Sequence, residues 1–182
     1  MQRPKVYITR KIDDAIVSKI SEKCEVTMWG KEDEPVPREV LLEKVKQIDG
    51  LFCLLTETID AAVLQEAKHL KVISNMAVGY NNIDVDCAKR RGIIVTNTPE
   101  VLTETTADLT FGLLLTVARR LIEATDYVKQ GNWKTWSPME LAGQDVYGAT
   151  LGIIGMGRIG QAVARRARGF SMKIIYHNRQ SA

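Results

Sequence analysis

Short apolar runs alternate with segments of helical period along the first 99 residues. The runs "KVYIT" (5–9), "CEVTMW" (24–29), "GLFCLL" (50–55), "KVISNM" (71–76) and "GIIVTN" (92–97) are rich in β-branched and other apolar residues, and each reads as a strand. Between them, "DDAIVSKISEK", "PREVLLEKVKQ", "AAVLQEAKH" and "DVDCAKRRG" carry the periodicity of amphipathic helices. Strand and helix repeated in this way predict a parallel sheet covered by helices on both faces. The strands are nearly continuous apolar runs, so both of their faces are expected to be buried.

After "NTPE" the period changes. "VLTETTADLTFGLLLTVARRLIEATDYVKQG" reads as one long helix over 101–130, started near Pro99 and stopped at Gly131. Thr103, Glu104 and Asp108 fall in its early turns, where the helix dipole favours acidic groups. From Leu109 to Ala118 it is apolar nearly all the way round, which predicts burial on several sides, between domains or against a second subunit. A loop rich in aromatic and turn residues follows, and "TLGIIG", "IGQAVARRARGF" and "MKIIYH" then supply strand, helix and strand. Two domains are expected, 1–99 and 100–182, the second including the long helix.

Composition narrows the function class. With 45% apolar and 26% charged residues the chain is an ordinary globular sequence. Its net charge of +3 is spread among mixed signs, which indicates neither nucleic acid nor an anionic membrane as partner. No apolar run approaches the roughly 18 residues of a membrane span, and the N-terminus has no leader pattern, so a cytoplasmic protein is expected. Cys24, Cys53 and Cys87 lack ligand spacing; reduced thiols and no metal are expected.

The chemistry lies in G-M-G-R-I-G, formed by Gly155, Gly157 and Gly160 with Arg158 and Ile159 between them. The motif follows an apolar strand and enters a helix, the context a dinucleotide site requires. Gly155 would permit the tight turn, Gly157 the approach of a pyrophosphate to the helix N-terminus, and Gly160 close packing of helix on strand. The alternative is a turn that uses glycine for steric reasons alone. NAD sites carry an acidic residue about 20 positions on, for the ribose hydroxyl. Here no carboxylate occurs from Gly160 to Ala182, and Asn178, Arg179 and Gln180 follow the second strand. An arginine fork suits a 2′-phosphate, so NADP is preferred, with NAD as the alternative. Arg158 covers the pyrophosphate or points outward, and Arg165, Arg166 and Arg168 read as a solvated helix face.

Three stretches, "NMAVGYNNIDVD", "RRGIIVTNTPEVLTETTADLTFGLLL" and "LGIIGMGRIGQAVARRARGF", together resemble the D-2-hydroxyacid dehydrogenase family, in its glyoxylate/hydroxypyruvate reductase branch. The resemblance implies an α/β protein: a flavodoxin-like doubly wound substrate domain, then the start of a Rossmann dinucleotide-binding domain, with the active site in the cleft between them. It implies an oxidoreductase acting on a small 2-oxoacid with NAD(P)H, and a homodimer formed through the helix 101–130 and the following loop. Val78 and Gly79 then correspond to residues whose amides hold the substrate carboxylate, and a turn of consecutive amides is an anion nest; the alternative is a turn needing only the backbone freedom of Gly79. Thr106 corresponds to a residue near the nicotinamide, or serves as a helix cap. Leu54 walls the substrate pocket or belongs to the core. Trp136 reaches into the neighbouring active site of a dimer or packs within its own loop.

The family reaction also requires an arginine to polarise the 2-oxoacid and a carboxylate-supported histidine to deliver a proton. The resemblance assigns all three beyond the second cofactor strand, so no catalytic residue is expected in this chain. His69 and His177 read as structural or surface residues. A dinucleotide domain needs about six strands, whereas "TLGIIG" and "MKIIYH" are two, with open edges. The expectation is therefore the N-terminal part of a roughly 320-residue enzyme, inactive by itself, whose first domain lacks its C-terminal return. Two other readings stand beside it: a non-catalytic dinucleotide-sensing or dimerisation module, and a reductase of another 2-oxoacid such as 2-ketogluconate.

Overall fold

The computed structural model describes residues 3–179, and the chain divides between Pro99 and Glu100 into two compact units. In the first unit, strands β1 (Lys5–Ile8), β2 (Glu25–Met28), β3 (Gly50–Cys53), β4 (Val72–Asn75) and β5 (Ile94–Thr96) alternate with helices α1 (Asp14–Ser21), α2 (Arg38–Val45), α3 (Ala61–Glu66) and α4 (Val85–Arg90). All strand pairs are parallel, in the order β2-β1-β3-β4-β5. This is the doubly wound order in which ligands sit beyond the strands' carboxyl ends, where the winding reverses.

Helix starts follow local chemistry. The side chains of Asp13, Asp60 and Asp84 accept N–H bonds from the first turns of α1, α3 and α4, satisfying donors that a helix N-terminus otherwise leaves free. Asp60 is also forked by Arg38. The Val63 amide, followed by Arg38, holds its carboxyl below the usual range. Gly92, with φ +71°, turns the chain out of α4 into β5, as a C-terminal glycine does.

Tyr7, Leu51, Cys53 and Ile73 form one cluster with Leu41, Val45, Val63, Leu64 and Ala88 of α2, α3 and α4. Each fully buried Leu, Val or Ile among them contributes roughly 1.5–3 kcal/mol. Burial differs from the expectation of strands covered on both faces. Along β4 half-buried and buried positions alternate, and the edge strands β2 and β5 keep exposed residues. The cause is the helices: α2, α3 and α4 contribute buried side chains, while α1 buries none of its residues.

The second unit contains α5 (Thr103–Ala118), α6 (Leu121–Lys129), β6 (Thr150–Ile154), α7 (Arg158–Arg168) and β7 (Lys173–His177), with β6 and β7 paired in parallel. Neither strand has a fully buried residue. Ala107 and Phe111 of α5 meet Ala162, Val163 and Ala167 of α7. The small alanines let the two helices approach closely, and Phe111 lies 5.0 Å from Phe170, ring to ring, within the range of favourable aromatic pairs.

The helix expected over 101–130 is two helices. Arg120 adopts a left-handed conformation, φ 54°, between α5 and α6. The break comes from a distant loop: the Gln144 N–H donates to the Ala118 carbonyl at 2.7 Å, the acceptor an unbroken helix would use four residues on. Gly143 makes this approach feasible, since a Cβ there would lie 2.3 Å from the same oxygen. Burial on several sides is also not what this unit provides. Leu109, Leu113 and Val117, spaced four apart along α5, are 63%, 55% and 77% exposed.

Candidate functional site

At the carboxyl end of β4 the chain turns through Met76–Tyr80, and the polar groups of that turn are unevenly used. The Ala77 carbonyl accepts the Thr98 N–H at 2.8 Å, the Val78 carbonyl accepts Asn97 Nδ2 at 2.8 Å, and the Gly79 carbonyl accepts Asn75 Nδ2 at 2.9 Å. Among the described residues, the N–H groups of Val78, Gly79 and Tyr80 have no partner. Consecutive free amides past a parallel strand are suited to an anion. Backbone freedom does not explain Gly79, whose φ is not positive. A Cβ there would meet only side-chain ends, 3.3 Å from Oδ1 of the exposed Asn81 and 3.9 Å from Leu55 Cδ2.

Leu55, rather than Leu54, therefore leans against the amide turn. Leu55 is exposed, while Leu54 is half-buried and donates its N–H to Glu57 Oε2 at 2.8 Å. The Leu54–Glu57 loop is held from beneath by a polar network. Glu57, only 4% exposed, accepts Thr9 Oγ1 at 2.6 Å and Thr56 Oγ1 at 2.6 Å, and Arg10 lies 3.6 Å away. Asn82 Nδ2 donates to the carbonyls of Leu54 and Glu57, and its Oδ1 accepts Asn75 Nδ2 at 3.2 Å. One network thus ties the loop after β3 to the turn after β4. Burial, then the Glu57 charge, pushes the Cys53 thiol up to about 12, leaving it a protonated donor to Asn75 Oδ1.

In the second unit the glycine motif forms the turn from β6 into α7. Gly155 has φ +96°, a conformation that strains any residue with a Cβ. Gly160 packs so closely that a Cβ would lie 2.3 Å from the Gly155 carbonyl oxygen. Gly157 caps α7 without a side-chain bond, and nothing lies within 4 Å of where its Cβ would be. Its α7 N-terminus thus presents free N–H groups and open space. The Gly155 N–H donates to the His177 carbonyl at 2.9 Å, which sets the end of β7, and hence the exposed Asn178 and Arg179, beside the turn. Gln180 lies outside the described residues.

Other positions named from sequence are distributed as follows. Arg158 points outward, 3.4 Å from Glu100, and Ile159 is partly exposed on the first turn of α7. Arg165 and Arg166 are not merely solvated: Arg165 reaches Glu104, and Arg166 engages the Glu104 and Asp108 carboxylates and the Glu104 carbonyl. The paired bonds lock α7 to α5, with Asp108 first and Glu104 second holding the Arg166 pKa above its ordinary value. Arg168 remains exposed. Thr106 does not cap α5, whose N-cap is Leu102 without a side-chain bond; it lies half-buried one turn in. Trp136 is exposed in the loop after α6. His69 precedes β4, at the opposite end of that strand from the amide turn, and His177 is exposed. Among the described residues no helix is long and apolar enough to cross a membrane, and no cluster of three His, Cys, Asp or Glu is placed to hold a metal.

Two features thus lie at the carboxyl ends of parallel strands: an amide turn with free N–H groups and a glycine-tight helix entry. The sequence matches the profile described as D-isomer specific 2-hydroxyacid dehydrogenase, catalytic domain, over residues 6–178. The chain belongs to this dehydrogenase family. A glyoxylate reductase of Korarchaeum cryptofilum is 54% identical over 177 residues, covering 97% of this chain and 53% of the relative. A crystal structure of a Thermus thermophilus protein matches with a TM-score of 0.89 at 44% identity, over 98% of this chain and 57% of that one. An NADPH-dependent glyoxylate/hydroxypyruvate reductase from Sinorhizobium meliloti, in complex with NADP and malonate, matches with a TM-score of 0.78 at 31% identity, over 100% of this chain and 55% of that one. The chain spans about half the length of the curated relatives it matches.

Proposed function

We propose that this chain is the N-terminal part of an NADPH-preferring reductase of small 2-oxoacids, glyoxylate or hydroxypyruvate, and that residues 1–182 alone do not turn over. The observation that carries the reading is the amide turn: neutral N–H donors of Val78 and Gly79, unpartnered and next to the apolar Leu55 side chain. Such donors bind a carboxylate without placing a cation beside it, and orient the neighbouring carbonyl. Leu55 and Leu54 wall one side and limit water. In this reading residues 1–99 are the substrate domain and 100–182 begin the cofactor domain.

The glycine turn fits a dinucleotide. An uncapped α7 N-terminus and open space over Gly157 suit a pyrophosphate, with Ile159 and Thr106 on the two helices that pack together in that unit. The chemistry a bound nicotinamide supplies is hydride for the C2 carbonyl. The proton for the C2 oxygen is assigned to an acid outside this chain, because His69 stands at the wrong end of β4 and His177 is tied by its backbone to the glycine turn. Glyoxylate-dependent NADPH oxidation tests the proposal, in the form described at the end of the Discussion.

Arg179, with Asn178 and Gln180, is proposed to read the 2′-phosphate. The support is its place beyond β7, beside the turn, in a stretch with no carboxylate. Arg179→Asp in the full enzyme is expected to raise the KM for NADPH at least tenfold while changing that for NADH less than twofold, on the order of one charge-assisted hydrogen bond pair. Equal effects on both cofactors would remove the assignment.

A homodimer through α5, α6 and the loop carrying Trp136 is proposed as well. Leu109, Leu113 and Val117 of α5 and Leu121 and Ile122 of α6 are all exposed, and large apolar side chains left exposed in number are characteristic of interfaces. Leu113→Asp is expected to give monomers by light scattering; an unchanged dimer would assign the contact elsewhere.

A further inference from the structure

The amide turn is fastened by two asparagine side chains that carboxylate binding has not used, and we propose that Asn97 and Asn75 are positioning residues that preset its N–H donors. The inference rests on the reading of Val78 and Gly79 as carboxylate donors. In a trans peptide the carbonyl and the next residue's N–H point oppositely within one plane. Holding the carbonyl therefore aims the amide. The bond from Asn97 to the Val78 carbonyl sets the Gly79 N–H. The bond from Asn75 to the Gly79 carbonyl sets the Tyr80 N–H, and the Thr98 N–H on the Ala77 carbonyl sets that of Val78. Three successive planes are held by their oxygens while their amides stay free, so Tyr80 joins as a third donor. Donors fixed in advance cost no reorganisation when the anion arrives.

The two asparagines differ in what else they hold. Asn75 is 1% exposed and also bonds Asn82 and Cys53, so replacing it disturbs the buried network. Asn97 is only half-buried, just past β5, and among the described residues its one side-chain bond is to the turn. It is the residue to change.

The test is a titration of the 15N-labelled chain with oxalate, a non-reacting two-carbon dicarboxylate, followed amide by amide. In the native protein the resonances of Val78, Gly79 and Tyr80 are expected to move together. In Asn97→Ala the affinity is expected to fall about five- to tenfold, the range of one hydrogen bond, with the response of Gly79 shrinking more than that of Tyr80. Asn97→Asp, which keeps the shape and removes the donor, should weaken binding at least as much. A merely structural role would reduce all three responses alike and shift resonances throughout β5. Either that pattern, or native affinity with a native Gly79 response in Asn97→Ala, overturns the positioning role while the carboxylate reading stands. No response of the three native amides overturns the carboxylate reading, and the positioning role with it.

Discussion

Glu57→Ala is expected to destabilise the first unit by about 3–5 kcal/mol, the range for removing one partner of a buried charge pair. The carboxylate is nearly inaccessible and serves Thr9, Thr56, the Leu54 amide and Arg10 at once. Its loss removes the counter-charge of the Arg10 guanidinium, 13% exposed, which keeps bonds to the Glu32 carbonyl and Thr56 Oγ1 but has Nε buried without a partner. It also frees the loop that carries Leu54 and Leu55. Glu57→Gln keeps the shape and can keep an acceptor for the threonines, so it should cost clearly less. Urea unfolding monitored by amide exchange in β1 and β3 checks both. A loss below about 1 kcal/mol for the alanine variant, the scale of an exposed pair, would show that the network is dispensable.

Gly160→Ala is the second large effect, roughly 1–3 kcal/mol from overpacking together with loss of dinucleotide affinity. The added methyl would meet the Gly155 carbonyl oxygen at 2.3 Å and its carbon at 3.2 Å. Both atoms are backbone in a turn already committed to φ +96°, so neither can yield as a side-chain tip does. Gly157→Ala is the internal control, since nothing lies near its Cβ position. It should leave stability nearly unchanged yet weaken NADPH, because the methyl occupies the space a pyrophosphate needs. Thermal unfolding and NADPH titration of the two variants separate packing from ligand approach.

Five strands, their alternation with helices and the helix entry at Gly155–Gly160 were legible because each rests on local pattern: runs of Val, Ile and Leu, and glycines at fixed offsets. Family membership followed from three stretches in order. The break between α5 and α6 was not legible, since "VARRLI" contains no glycine or proline and the Ala118 carbonyl is claimed by Gln144, a residue far along the chain. Glu57 in "TETID" carries no local signal of burial, and only the pairing of β1 with β3 brings Thr9 and Arg10 to it. Asn75, Asn82 and Asn97 carry no local signal of their bonds, and those of Asn75 and Asn97 to the amide turn depend on β4 and β5 being neighbours. The bonds of Arg165 and Arg166 to α5 are not legible because their acidic partners lie about sixty positions earlier, while Arg165 remains exposed as a solvated face implies. Leu55 and Leu54 are adjacent in an apolar run, and side-chain direction at a strand end decides between them.

Glyoxylate-dependent oxidation of NADPH is the most direct measurement, made on the 182-residue chain beside the same chain extended with the C-terminal half of the Korarchaeum cryptofilum glyoxylate reductase. Turnover in the extended protein alone, lost on Gly160→Ala, is the expected result. Turnover by the 182 residues themselves would contradict the account by placing the acid within them, and a folded, NADPH-binding extended protein with no activity toward any 2-oxoacid would contradict the assignment of the amide turn to substrate.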